Sequence, residues 1–177
     1  MTLVQSLSRD PQNPTEFWPD PVEAPPAFDW SELRFGPIRF GEPLEYAAPL
    51  GRPNVFRWTE TGGCDLLYTQ AGFSIGFDQA RFAYIACFIA PDPNTAMHAE
   101  MAYCTPSLDD ELVLSPDARP NDVTSRLGPP GTDKIDRNGD RVLVYAGEGV
   151  VLEFEFDRNG GLTRWNLYPQ AVKSGEK

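Results

Sequence analysis

The chain has one histidine, His98, which shares its stretch with Glu100 and Cys104. A cysteine and a histidine do nucleophilic chemistry when the ring takes the thiol proton and a third group orients the ring. No nucleophile signature surrounds Cys104, and the stretch is irregular in pattern, so no catalytic set is read there. Glu153 and Glu155 form a carboxylate pair at i and i+2 on one strand face, residue types that general acid–base chemistry requires. The pattern brings no third polar group to them, and they read as a solvated or partner-facing pair. The run Asp133 to Asp140 (DKIDRNGD) is rich in acids but lacks the D-x-[DN]-x-[DN]-G order and distal glutamate of a calcium loop. It reads as a polar hairpin loop. Gly62-Gly63 and Gly128-Pro129-Pro130-Gly131 are not followed by the Lys-Ser/Thr and helix of a phosphate cradle. Cys64, Cys87 and Cys104 are odd in number and without CxxC spacing. That argues against a zinc site or a complete disulfide framework, and buried free thiols are expected. The chain is therefore read as non-enzymatic, with no cofactor and no metal.

Charge narrows the partners. Fifteen Lys and Arg against 26 Asp and Glu leave a formal charge of −11 and a pI near 4.5. Such a surface repels nucleic acid and anionic membranes and favours solubility or a basic protein partner. A hydrophobic fraction of 41% with 12% aromatics is that of a folded chain. Met1 to Asp10 lacks a basic region followed by an apolar core, and no run approaches the roughly 18 apolar residues of a membrane span. The cytoplasm is the expected compartment.

The elements that position these residues come from a duplication. Leu50-Gly51-Arg52-Pro53 recurs as Leu127-Gly128-Pro129-Pro130, an offset of 77 (127 − 50). In the same register Pro43 falls on Pro120, Leu66 on Leu143, Tyr68 on Tyr145, Gly72 on Gly149, Ile75 on Leu152 and Phe77 on Phe154. One register shared by glycine, proline and aromatic positions marks an internal repeat. Each copy is expected to hold a short helix, over 42–48 and 120–127, stopped by the glycine. Three strands follow in each, over 65–69, 73–78 and 82–90, then 141–146, 150–156 and 162–168. The chain divides into a proline-rich arm (1–32), repeat 1 (33–91), a linker (92–110), repeat 2 (111–169) and a polar tail (170–177). The arm carries Phe17 and Trp18 among its prolines and Phe28 and Trp30 after them, an apolar load expected to dock on the body. Within the linker, 95–102 is good helix-forming sequence. The fold class expected is α+β: two repeats of short helix plus antiparallel strands, sharing one curved antiparallel sheet backed by helices.

Alternation assigns the faces. Phe73, Ile75 and Phe77, with Val150, Leu152, Phe154 and Phe156, should point inward. Ser74, Gly76 and Asp78, with Val151, Glu153 and Glu155, should point outward. In the last strands the offset slips to 78, since Pro91 matches Pro169. Ile85, Cys87 and Ile89 then match Thr163, Trp165 and Leu167 inward, and Tyr84, Ala86 and Phe88 match Leu162, Arg164 and Asn166 outward. Aromatics beside carboxylates are unusual on a solvated face. Asp78, Tyr84, Phe88, Glu153, Glu155 and Arg164 are accordingly the candidate partner-binding residues.

A short helix ending in Leu-Gly-x-Pro, followed by strands bearing the Tyr, Gly and Phe positions above, resembles the repeat of two families. One is the small outer-membrane assembly lipoproteins of the SmpA/OmlA type, the other the β-lactamase inhibitor protein. Two tandem copies resemble the inhibitor protein more. What the resemblance implies is a non-enzymatic module that holds another protein on its sheet. An inhibitor or immunity protein neutralising a basic toxin or an enzyme is the expected role. The alternative is a small-ligand sensor or carrier using the same exposed sheet face.

Overall fold

In the computed structural model, residues 13–91 and 101–170 are described. Three two-residue strands come first, Phe28–Asp29 (β1), Arg34–Phe35 (β2) and Ile38–Arg39 (β3), then a 3-10 helix, Leu44–Leu50. Val55–Trp58 (β4), Cys64–Tyr68 (β5), Phe73–Asp78 (β6) and Arg81–Phe88 (β7) complete the first half. Ser107–Leu108 (β8) and Leu112–Val113 (β9) precede an α-helix, Pro120–Leu127 (α1). Thr132–Ile135 (β10), Arg141–Ala146 (β11), Val150–Phe156 (β12) and Leu162–Pro169 (β13) follow.

The strands assemble into an eight-stranded sheet, β10-β11-β12-β13-β7-β6-β5-β4, and a five-stranded sheet, β3-β2-β1-β8-β9. The large sheet carries the duplication on its face. Each repeat contributes four antiparallel strands, and the last strand of each meets the other at the centre, Trp165 opposite Cys87 and Leu167 opposite Ile85. Both glycines that stop the helices hold a conformation that only glycine adopts easily, Gly51 at φ 78° and ψ 177°, Gly128 at φ 81° and ψ −170°. The same tyrosine reaches back to each. Tyr68 Oη donates to Gly51 O at 2.9 Å, and Tyr145 Oη donates to Gly128 O at 3.1 Å. The register slip has a cause as well. The β6–β7 hairpin turns on Gln79 and Ala80, both at positive φ, whereas β12 and β13 are joined by the longer turn Asp157 to Gly161.

The expected α+β class, with helices backing one sheet, is overturned: the protein is mostly β, with two sheets and only two short helices among the described residues. The two helical segments stand near their expected positions but are seven and eight residues long. The first has Pro49 inside it and buries only Ala47 and Leu50; α1 buries Pro120 and Val123. Segments that short cannot cover eight strands. The rest of the cover comes from the small sheet, whose Phe28 and Phe35 rings meet Trp165 at 5.4 and 6.3 Å, and whose Phe35 meets Phe73 at 5.3 Å. The sequence boundaries at 32/33 and 110/111 fall inside that sheet, because β1 pairs with β2 and β8 pairs with β9.

The inward residues named from alternation are all buried, from Phe73, Ile75 and Phe77 to Val150, Leu152, Phe154 and Phe156. The arm docks through both its rings and its backbone. Phe28 is fully buried, Trp18 and Trp30 pack on the core, and Phe17 stays 92% exposed. Val22 N donates to Leu50 O at 3.0 Å and Arg52 N to Pro19 O at 2.7 Å. The helix expected over 95–102 lies largely outside the described residues; Met101 and Ala102 are not helical.

Candidate functional site

Strand register decides which outward residues become neighbours. Across the sheet, Glu153 on β12 stands opposite Asn166 on β13, which stands opposite Ala86 on β7, which stands opposite Ser74 on β6. The adjoining row runs Val142, Glu155, Arg164, Phe88. Residues from both repeats thus share one face, whose centre is the β7–β13 pair.

The charges on this face are held in place by one another. Arg164 grips Glu155 with Nη2 at 2.6 and 2.8 Å from the two carboxylate oxygens and Nε at 3.1 Å. Asn166 Nδ2 donates to the same carboxylate at 2.9 Å. Burial pushes the Glu155 carboxyl up from its ordinary range, and the Arg164 hydrogen bonds and charge pull against it. Tyr168 Oη donates to Glu153 Oε2 at 3.2 Å, and burial, with the Glu153 charge added, pushes this phenol up to about 12. Charge-assisted bonds of this length fix a side chain before any partner arrives.

Tyr84 is the exposed aromatic of the face, 45% accessible. It lies over Gly76, where an added Cβ would stand 3.2 and 3.3 Å from Tyr84 Cβ and Cδ2 and 3.0 Å from Asp65 Oδ1. A glycine on the neighbouring strand is what lets the ring lie down on the sheet. Burial pushes the Asp65 carboxyl up, and Arg57 on the next strand pulls it down.

Of the six residues named from sequence, Glu155 and Arg164 form one network, with Glu153 and Tyr84 beside it. Asp78 is exposed at the far end of β6, opposite Arg81 and away from the network. Phe88 is on the outward side but only 6% exposed. The linker runs alongside its backbone, with Cys104 N donating to Phe88 O at 2.8 Å. Phe88 is therefore floor, not contact surface. Sequence reading placed Asn166 outward without giving it a role, and passed over Tyr168, Asp65 and Gly76 as partners. Two-residue alternation was the available signal for Tyr168, which shares the parity of Arg164 and Asn166.

The other chemistry-bearing groups resolve into structure. Cys104 Sγ donates to Gly72 O at 3.1 Å, and all three cysteines are buried and free; His98 and Glu100 lie outside the described residues. Asp136 Oδ1 accepts Asn138 N at 2.7 Å and Asp140 N at 3.0 Å, closing the hairpin loop on itself. The backbone donors, Asp140 N first, hold this carboxyl below its ordinary range. No group of three His, Cys, Asp or Glu is placed to hold a metal among the described residues. An open groove of about 510 Å³ lies on the small-sheet side, between β1, β2 and α1. Its Asp109 accepts Trp30 N at 2.7 Å and pairs with Arg126 at 3.2 Å, and Arg126 also pairs with Glu111 at 2.9 Å. Those groups tie the sheet to the helix.

No family model and no curated protein matches the chain. Two solved structures are similar to it. A DUF4309 family protein, YjgB, from Bacillus subtilis subsp. subtilis str. 168 shares 13% identity over 71% of this chain and 76% of its own, with a TM-score of 0.40. An extracellular protein containing a SCP domain, from Bacillus anthracis str. Ames, shares 11% identity over 95% of this chain, with a TM-score of 0.47. The chain spans 50% of that second protein's length. Neither of the two is a β-lactamase inhibitor protein or an outer-membrane assembly lipoprotein, and likeness at this level assigns no function.

Proposed function

We propose that the protein is a non-enzymatic binding module that takes a protein partner on the outer face of its eight-stranded sheet. The observation that carries this reading is the pre-set polar network beside an exposed tyrosine. Glu155 is clamped by Arg164 and Asn166, Glu153 is held by Tyr168, and Tyr84 lies on Gly76. Tyrosine supplies contact area at little cost in side-chain entropy, and fixed charges around it set register and orientation. The overall charge of −11 favours a basic surface opposite. Occluding a toxin or an enzyme, as an immunity or inhibitor protein does, is the role this arrangement would serve.

The test is quantitative capture of partners from the native cell by the wild-type protein and by a Tyr84→Ala/Glu153→Lys variant. Both substitutions sit on the outer face and leave the core untouched, so circular dichroism should be unchanged. A partner held by wild type and lost by the variant supports the reading; an identical partner set from both proteins sinks it.

A further inference from the structure

Two of the three cysteines meet in the core. Cys87 is on the inward side of β7, opposite Phe73, and is fully buried; Cys104 comes from the end of the linker and is 7% exposed. The backbone fixes the meeting. Phe88 N donates to Gly72 O at 3.0 Å, Cys104 N donates to Phe88 O at 2.8 Å, and Cys104 Sγ donates to Gly72 O at 3.1 Å. Gly72 has no room for a side chain, because a Cβ there would stand 2.9 Å from Cys104 Cβ. Burial first, with the hydrogen bond and charge of the Cys104 side chain added, pushes the Cys87 thiol well up. Cys64 stands elsewhere, on β5 opposite Phe77 and next to Asp65.

We propose that Cys87 and Cys104 are a disulfide site, closed by thiol–disulfide exchange with a small disulfide such as oxidised glutathione. Cys104, the more accessible of the two, attacks the reagent as its thiolate; an S–S bond forms to Cys104, and one reagent thiol leaves. Cys87 then loses its proton to solvent during local opening and attacks the Cys104 sulfur, expelling the second reagent thiol. The protein gives up two electrons and two protons, and one disulfide reagent becomes two thiols. The new bond ties the chain after β7 back onto that strand, so the protein gains a covalent cross-link in an oxidising compartment and lacks it in a reducing one. Burial makes the exchange slow, since the thiolate is the reacting form and local opening must expose it.

The experiment uses the full chain in native buffer with oxidised glutathione, followed by acid quench, removal of all glutathione by desalting at acid pH, denaturation and free-thiol counting on the protein with Ellman's reagent. The count should fall from three to one. Protease digestion should yield one cross-linked peptide pair joining Cys87 to Cys104, with Cys64 free. The Cys64→Ser variant should lose both remaining thiols, and the oxidised wild type should melt higher by roughly 5–10 °C. Three thiols persisting at equilibrium, a bond to Cys64, or glutathione retained on Cys104 with Cys87 free would each overturn the proposal. So would an oxidised form that melts at or below the temperature of the reduced one.

Discussion

The two repeats carry the same tyrosine-to-glycine latch in different surroundings. In repeat 1, Gly51 is pressed against the arm: a Cβ there would lie 2.0 Å from Asp20 O and 2.7 Å from Pro21 Cα. In repeat 2, nothing lies within 4 Å of the same position on Gly128. Tyr68 is fully buried and stacks on Phe73 at 4.5 Å and 11°, while Tyr145 meets Phe154 edge-on at 6.1 Å. The β-bulges differ too, between Gly76 and Phe77 in the first copy and between Glu155 and Phe156 in the second. One copy has become the docking site of the arm, and the other retains the latch alone. The outer face divides similarly: repeat 1 lends the exposed Tyr84 and the glycine beneath it, and repeat 2 lends the charged network.

The sharpest way to break this comparison is at the glycines. Gly51→Ala should cost more than about 4 kcal/mol, since it adds a clash with backbone to a backbone conformation reserved for glycine. Gly128→Ala should cost only the conformational part, about 1–3 kcal/mol. Equal losses in denaturant titrations would mean that the arm does not press on Gly51. Next in size, Phe77→Ala and Phe154→Ala occupy matched core positions, 2% and 0% exposed, and each should lose about 3–5 kcal/mol. A difference of more than about 2 kcal/mol between them would show that the two halves of the core are not packed alike.

The latches should separate by less. Tyr68→Phe leaves Gly51 O buried without its donor and should cost about 1–3 kcal/mol, whereas Tyr145→Phe, against a half-buried Gly128, should cost about 0.5–1.5 kcal/mol. Thermal melts of the two variants read this directly.

Arg164→Ala falls in the same range as the latches, and pH tunes it. Removing the cation leaves the Glu155 carboxylate unpaired and raises its folded-state pKa further above the unfolded value of about 4.3. The folded state then binds more protons than the unfolded state between those two values, so stability falls as pH rises through that window. The variant should be about 1–2 kcal/mol less stable than wild type at pH 7. That deficit should shrink as the pH drops to about 3.5, where Glu155 is neutral in both states. A deficit that grows on acidification would mean that Arg164 does not serve Glu155.

The duplication was legible because its markers are residues with positional chemistry. Gly51 and Gly128 are dictated by backbone conformation, and Tyr68 and Tyr145 by a single acceptor apiece. The inward faces were legible from alternation. The second sheet was not, because strands such as Phe28–Asp29 and Arg34–Phe35 are two residues long and carry no period. Prolines ahead of them read as an arm, and short helices were given the backing role by default. The face was placed from parity except at Leu162, which the bulge between Glu155 and Phe156 sets opposite Phe156 and buries, and parity says nothing of what covers a residue. Phe88 is buried although its parity points outward, and the clamp on Glu155 depends on a pairing between strands β12 and β13.

A photo-crosslinking residue introduced at position 84 tests the binding face most directly, with position 46 as its control. Tyr84 and Tyr46 are similarly exposed, at 45% and 51%, but lie on the outer face and on the helical backing layer respectively. Irradiated in the native cell, the chain labelled at 84 should give a discrete adduct with a protein partner, and the chain labelled at 46 should not. An adduct from position 46 alone, or none from position 84, would contradict the account.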